Sequence, residues 1–216
     1  MPAGSPAIRA VLFDADGVIQ RGFSINAQPL RDALNIPTDR LAACVADLFA
    51  AERNALTGTR SLEECVAHLP AQWGCRGTAD DIIRSWTISL EADLGMVAGI
   101  RSLRALGIPC FLASNQGHSR ARYMSEVVGY RNIFDREFYS CTVGLAKPDP
   151  EYFRLILREI GVKANEVLFL DDILENVNAA ADVGVRSVQF DCYRDQPWSE
   201  QLRQILLSHG LATGQF

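Results

Sequence analysis

Short apolar runs recur along the chain, and the later ones each follow a segment with helical spacing. They cover residues 10–13, 109–113, 167–170 and 187–190. Each run has the length of a strand, and the continuous apolar character of the first three is typical of a strand buried on both faces. Strands that alternate with helices indicate a parallel sheet. The pattern therefore predicts an α/β fold with a Rossmann-like parallel-sheet core.

Several helix ends can also be located. Asp149 fits an N-cap and Pro150 the first position of a helix that has apolar residues on one face and ends at Gly161. Ser119 is predicted to cap another helix, which ends at Gly129.

Residues 22–94 show a different pattern, with helical spacing and no convincing strand. One predicted helix has a single apolar face, formed by Leu41, Cys44, Val45, Leu48 and Phe49. Residues 61–64 fit a capping box, and Asp80 is predicted to open a third helix with Trp86, Leu90 and Leu94 turned inward. The sequence thus predicts an all-helical cap domain, residues 21–94, inserted into a core domain of residues 1–20 and 95–216.

Composition narrows the classes of function. Of the 216 residues, 48% are hydrophobic, enough for a substantial core, and the formal net charge of -5 argues against a general nucleic-acid surface. The six cysteines form no C-x-x-C pair, so neither a zinc site nor a redox motif is predicted. The run at 10–13 is far too short for a membrane span or signal peptide, and a cytoplasmic location is expected.

Two pairs of acidic residues follow predicted strands. Asp14 and Asp16 come directly after the first strand, and Asp171 and Asp172 come after the strand at 167–170. Carboxylates beside buried strands are costly unless a cation pairs with them, and magnesium is a suitable hard cation. Asn176 lies one helical turn after Asp172 and is predicted to reach the same cluster.

Phosphate-binding groups are predicted at two further places. Ser114 and Asn115 follow the strand at 109–113, and a hydroxyl and an amide there can donate to phosphate oxygens. Lys147 precedes Pro148, and the proline favours an extended backbone at Lys147. The lysine thus supplies a positive charge of fixed direction. Because ligands bind at the carboxyl ends of parallel strands, these segments are expected to meet in space.

The order acid-x-acid, hydroxyl, lysine and acid pair resembles the four motifs of the haloacid dehalogenase-like (HAD) superfamily. The resemblance spans residues 10–18 and 99–190, and the stretch 138–177 is particularly similar to sugar-phosphate phosphatases and to the phosphatase domain of soluble epoxide hydrolases. The helical insert lies where that family places its cap domain.

The resemblance implies a magnesium-dependent phosphatase that acts on a small phosphorylated metabolite, such as a sugar phosphate. Asp14 matches the nucleophile that forms an aspartyl-phosphate, and Asp16 matches the general acid and base. Asp14, Asp16 and Asp172 are expected to hold Mg²⁺. Ser114, Asn115 and Lys147 match the residues that bind the substrate phosphate. Asp171 and Asn176 are expected to support the site.

Alternatives remain at this point. Asp16 favours phosphate esters over halo acids, because a halide leaving group needs no proton. A phosphomutase, a 2-haloacid dehalogenase and a non-catalytic phospho-ligand-binding relative stay open. A receiver domain is disfavoured by the order of its acids. Trp86 is predicted to belong to the core, Arg53 to the solvated surface, and His118 to stabilise a loop.

Overall fold

A parallel five-stranded sheet forms the centre of the computed structural model, which describes residues 6–21, 27–193 and 195–212. The sheet contains β1 (Ala10–Phe13), β4 (Cys110–Ser114), β5 (Arg136–Tyr139), β6 (Val167–Asp171) and β7 (Arg186–Gln189). The strand order is β5-β4-β1-β6-β7, so β1 is central and paired in parallel with β4 and β6. The predicted α/β class and parallel sheet are confirmed.

Helices cover both faces of this sheet because successive strand residues point to opposite sides. The core helices are α6 (Leu94–Ala105), α7 (His118–Tyr123), α8 (Ser140–Val143), α9 (Pro150–Ile160), α10 (Leu174–Asp182) and α11 (Trp198–Ser208). Val11 and Phe13 pack in one apolar cluster with residues of α6, α7 and α11. Ala10 and Leu12 pack in the opposite cluster with residues of α9 and α10.

The predicted ends of the core helices are partly correct. Asp149 caps α9 by accepting a hydrogen bond from the Glu151 amide, and Pro150 takes its first position, as predicted. Ser119 is wrong as an N-cap, because α7 begins at His118 and the N-cap position is Gly117, two residues earlier. The same segment continues as a π-helical turn, Met124–Val128, up to Gly129. Single 3₁₀ turns cover Tyr130–Asn132 and Ala164–Glu166.

Five helices between the first two core strands form a separate apolar cluster. They are α1 (Gln28–Leu34), α2 (Thr38–Glu52), α3 (Leu62–Val66), α4 (Leu69–Trp73) and α5 (Ala79–Ile88). The predicted capping box at Ser61 is confirmed. A second one opens α5 from Thr78, so Asp80 lies in the first turn of that helix instead of capping it.

The base of the cap differs from the all-helical prediction. β2 (Gln20–Arg21) pairs antiparallel with β3 (Glu91–Ala92), forming a two-stranded ribbon where the chain leaves and re-enters the core. Leu94 is wrong as an inward residue of the third cap helix, because it begins α6 and is 82% exposed. The cap is predicted to begin at Arg21, which lies in β2, and Gly22 after it lies outside the described residues. Across the described ranges, no helix has both the length and the apolarity that crossing a bilayer requires.

Candidate active site

The register of the sheet brings three predicted site segments to one edge. Phe13 lies opposite Leu112 of β4 and Leu170 of β6, so the three strands end at nearly the same level. The Asp14 amide donates to the Leu170 carbonyl at 2.9 Å, which fixes the first residue after β1 beside the end of β6. The carboxyl ends of neighbouring parallel strands are therefore what bring the acids together, as predicted.

Three carboxylates and one ammonium group meet at this edge. One oxygen each from Asp14, Asp171 and Asp172 lies within 4.8 Å of the others. The Lys147 Nζ lies 2.8 Å from Asp14 Oδ1 and 2.6 Å from Asp171 Oδ2. With all four groups ionised, the cluster carries two excess negative charges. Clustered carboxylate oxygens of this net charge fit a hard divalent cation such as Mg²⁺.

Burial dominates the electrostatics of the cluster. It raises the pKa of Asp14 to about 8, against the opposing effect of the Lys147 ammonium. Burial, followed by the neighbouring Asp171 carboxylate, raises the pKa of Asp172 to about 6. Burial alone would lower the pKa of Lys147, but the facing Asp14 and Asp171 carboxylates raise it overall. A cation at the cluster would favour the ionised form of each acid.

Lys147 owes its fixed position to Asn115 and Asp171. The Asn115 side chain donates to the Lys147 carbonyl at 2.8 Å and accepts from the Lys147 amide at 2.9 Å. The side-chain oxygen and one hydrogen of the amide nitrogen thus serve the lysine backbone, and the second amide hydrogen remains for the predicted phosphate contact. Asn115 therefore orients Lys147. It also lines the cavity described below.

Asp171 is fully buried and supports the cluster. It accepts hydrogen bonds from the Asn176 side-chain amide at 3.0 and 3.1 Å and from the Ile173 backbone amide at 2.9 Å. The structure thus places Asn176 in the cluster that the sequence predicts for it. Asp172 is only partly buried and faces the cavity, which leaves Asp14 and Asp172 as the accessible acids.

Gly17 allows the loop after β1 to approach Asp172 closely. Its φ of +79° is in the region that favours glycine, and a Cβ atom there would overlap the Asp172 carboxylate. The loop therefore leaves room for Asp172 only if residue 17 has no side chain.

Asp16 lies outside the three-acid cluster. Its Oδ1 accepts from Arg120 Nη2 at 2.7 Å and from Gln20 Nε2 at 2.9 Å, and its Oδ2 accepts from Gln116 Nε2 at 2.8 Å. The three-acid cluster is therefore formed without the Asp16 carboxylate, which was also predicted to hold Mg²⁺, and N–H donors engage both of its oxygens. The side chain is 37% exposed and faces the same cavity as Asp14.

A cavity of about 360 Å³ lies above these groups, between the core and the cap. Asp14, Asp16 and Ser114 lie at its polar end. The buried Ser114 hydroxyl accepts from Gln116 Nε2 at 3.2 Å, which leaves its own hydrogen available to a phosphate oxygen. Apolar side chains also line the cavity, namely Phe49, Leu56 and Trp86 from the cap and Ile173 beside Asp172.

The model of the haloacid dehalogenase-like hydrolases matches residues 8–184 of this chain. The chain belongs to this family. The HAD resemblance predicted from the motifs is thus confirmed.

Relatives of this HAD-like hydrolase include phosphatases. A sesquiterpene phosphatase of Aspergillus oryzae is 32% identical over 124 residues, covering 57% of this chain and 63% of that protein. Bifunctional epoxide hydrolase 2 of Sus scrofa is 38% identical over 205 residues, covering 84% of this chain and 36% of that protein. The chain thus spans less than two thirds of the length of either relative.

Solved HAD structures share the fold. A HAD family enzyme of Bacteroides thetaiotaomicron, crystallised with magnesium and inorganic phosphate, has a TM-score of 0.73 at 18% identity and covers 91% of this chain and all of that one. An L-2-haloacid dehalogenase has a TM-score of 0.73 at 20% identity, covering 94% of this chain and 100% of that one. At these identities the likeness shows the fold alone.

Sequence reasoning misjudged or missed several cavity residues of this HAD-like hydrolase. Trp86 belongs to the cap core as predicted but also lines the cavity, and Arg53 lines it from an exposed position. Gln116, Arg120 and Glu52 were not identified. Glu52 had a usable signal, because it continues the apolar helical stripe of α2 one turn after Leu48.

Glu52 offers a test of the electrostatics of this cavity. Burial raises its pKa from the ordinary 4.5 to about 8, with Arg120 acting in the opposite direction, and its carboxyl accepts from Trp86 Nε1 at 3.0 Å. Because the folded-state pKa is the higher one, the stability contributed by the neutral carboxyl is complete below pH 4.5 and is lost as pH rises through about 8.

Glu52→Gln retains the acceptor for Trp86 and cannot ionise. The variant is expected to gain stability over wild type as pH rises from 5 to 8, by on the order of 4 kcal/mol. Urea denaturation at both pH values measures this gain, and the exposed Glu126→Gln serves as the control. Parallel stability curves for wild type and Glu52→Gln would contradict the raised pKa.

Proposed function

We propose that this chain is a magnesium-dependent phosphatase that uses Asp14 to form an aspartyl-phosphate intermediate. The observation that carries the proposal is the joint position of two acids on one cavity. Asp14 lies beside Lys147 in the three-acid cluster, and Asp16 lies outside it, held by N–H donors. The two carboxylates therefore have different surroundings, as a nucleophile and a proton-transfer group require.

The proposed reaction has two steps. An Asp14 oxygen attacks phosphorus while the ester P–O bond breaks, and the departing oxygen takes a proton from Asp16. A water molecule then gives its proton to Asp16 and attacks phosphorus, which breaks the bond to Asp14 and releases inorganic phosphate. Asp16 thus begins each cycle protonated, gives that proton to the departing alcohol, and is protonated again by the attacking water.

Charge neutralisation is the main physical requirement of the first step. Two unit charges 4 Å apart repel by roughly 4 kcal/mol at an effective dielectric constant near 20, and a phosphate dianion facing Asp14 meets this repulsion. Lys147 offsets part of it from 2.8 Å away. Magnesium held by Asp14 and Asp172 would supply further positive charge at the transferring group.

The cavity supports a substrate with an apolar alcohol portion. Phe49, Leu56 and Trp86 of the cap face the acids, and Phe49 packs edge-on against Trp86 with ring centroids 5.1 Å apart. A sugar would leave many hydroxyl groups against this wall without partners. One relative is a sesquiterpene phosphatase, a name consistent with an apolar ester. We therefore favour apolar phosphate monoesters over the sugar phosphate suggested by the motif resemblance.

A substrate panel tests this function. The purified protein with Mg²⁺ is assayed on an isoprenoid phosphate, an alkyl phosphate, 4-nitrophenyl phosphate and a hexose phosphate, and on 2-chloropropionate for chloride release. We expect phosphate release that a chelator abolishes, with kcat/KM at least about tenfold higher for the apolar esters than for the hexose phosphate, from buried apolar area. Chloride release without phosphate release would instead establish a dehalogenase.

A further inference from the structure

Arg120 is a buried cation that the catalytic roles above do not use. Its side chain is 1% exposed, although a buried charge is strongly unfavourable unless it is paired. It forms a salt bridge with Asp16, with Nη2 2.7 Å from Oδ1. The fold thus places a desolvated guanidinium group against the acid to which the proposed function assigns proton transfer.

The same guanidinium group contacts the cap. Its central carbon lies 4.8 Å from the centroid of the Trp86 ring, and Nη1 donates to the Trp86 carbonyl at 3.4 Å. Trp86 belongs to α5 of the cap, whereas Arg120 belongs to α7 of the core. One side chain therefore connects the docked cap to the carboxylate of Asp16.

The other partners of Asp16 come from the core and complete its fixed orientation. Gln116 and Gln20 each donate to one of its oxygens, and Gln20 in turn accepts from the Tyr130 hydroxyl at 2.7 Å. Without Arg120, two neutral donors would remain, and the strong charge-assisted bond would be lost. The neutral carboxyl group that donates the proton would then be free to rotate away from the leaving oxygen, and small misplacements lower the rate of proton transfer strongly.

We propose that Arg120 is a positioning residue that aims Asp16 at the leaving oxygen and that Trp86 holds Arg120 in place, so that proton transfer depends on cap docking. This inference rests on the proposed phosphatase function. In this proposal, Arg120 itself contacts neither the substrate nor the reacting atoms. Its effect should therefore appear only where the leaving group needs a proton.

The test compares two leaving groups in the whole 216-residue chain with Mg²⁺. An alkyl phosphate needs protonation of its leaving oxygen, whereas 4-nitrophenyl phosphate does not. For Arg120→Met we expect kcat/KM to fall about 10²-fold or more on the alkyl phosphate and less than about tenfold on the aryl phosphate, because general-acid assistance contributes on that scale. Arg120→Lys is expected to recover part of the alkyl phosphate turnover.

A control separates positioning from general stability. Arg104 lies away from the cavity, where it bonds the Asp135 carboxylate at 2.8 Å. Arg104→Met is expected to lower both activities equally or neither. Equal losses on both substrates in Arg120→Met and Arg120→Lys, with cooperative unfolding retained, would overturn the proposal. Wild-type protein that hydrolyses neither ester would instead reject the phosphatase function, so the two failures are distinguishable.

A double-mutant cycle tests the connection to the cap. Trp86 also lines the cavity, so Trp86→Leu changes substrate binding whether or not Arg120 is present. The effect of Trp86→Leu that acts through Arg120 is measured as a change in one ratio, kcat/KM on the alkyl phosphate divided by kcat/KM on the aryl phosphate. We expect Trp86→Leu to lower this ratio in the wild-type background and to leave it unchanged in Arg120→Met. The same change in both backgrounds would refute the coupling.

Discussion

Asp14→Asn is expected to abolish phosphate release, with kcat falling by at least about 10⁴-fold, the scale of losing a covalent nucleophile. The amide has nearly the shape of the carboxylate but lacks the charge and the nucleophilic oxygen. The fold should survive, because removing the charge of one of the three clustered acids relieves repulsion within the cluster. Steady-state turnover of the best ester and the urea unfolding midpoint measure the two effects.

Trapping the intermediate makes this prediction specific. Wild-type protein mixed with substrate and quenched in acid should gain the mass of one phosphoryl group on the peptide that contains Asp14. The Asp14→Asn protein should gain none, and Asp182→Asn, at an exposed position on α10, should behave as wild type. Turnover within tenfold of wild type in Asp14→Asn, or the label on another residue, would exclude Asp14 as nucleophile.

Strands of the sheet differ in how far their sequences predict them. β1 and β6 are buried along their whole length and are written as continuous apolar runs. β5 was missed because it begins with the polar Arg136 and Glu137, so its apolar residues are only Phe138 and Tyr139. β7 lies at the opposite edge and is only partly buried, but it was predicted from Val188 and Phe190 in the run at 187–190. Whether an edge strand is detected thus depends on its apolar residues and not on its place in the sheet.

The acids of the site could be predicted because their convergence follows from strand register alone. The hydrogen-bond partners of the residues around these acids could not be predicted. Asn115 bonds the Lys147 backbone, 32 residues away in sequence, and its predicted phosphate contact gave no sign of this pairing. Arg120 reaches Asp16 across 104 residues. Such pairings depend on how the loops and the cap pack against the sheet. The spacing of residues within a short segment of sequence does not predict that packing.

Lys147→Met is expected to lower both stability and activity. Lys147 is 1% exposed and is the cation within ion-pair distance of Asp14 and Asp171. Removing one partner of a buried ion pair destabilises a protein by about 3–5 kcal/mol, because the charges left behind remain desolvated. Loss of a preorganised positive charge beside the phosphoryl group should lower kcat by about 10²-fold or more.

Magnesium makes the Lys147 prediction specific to this cluster. Without the ammonium group, three carboxylates face one another with no fixed counter-charge, so a divalent cation should neutralise more repulsion in Lys147→Met than in wild type. Added Mg²⁺ is therefore expected to raise the unfolding midpoint of the variant more than that of wild type. Lys163, the other lysine of the chain, is exposed, and Lys163→Met is the matched control. Equal magnesium-induced shifts in all three proteins would show that Lys147 and the metal do not share these acids.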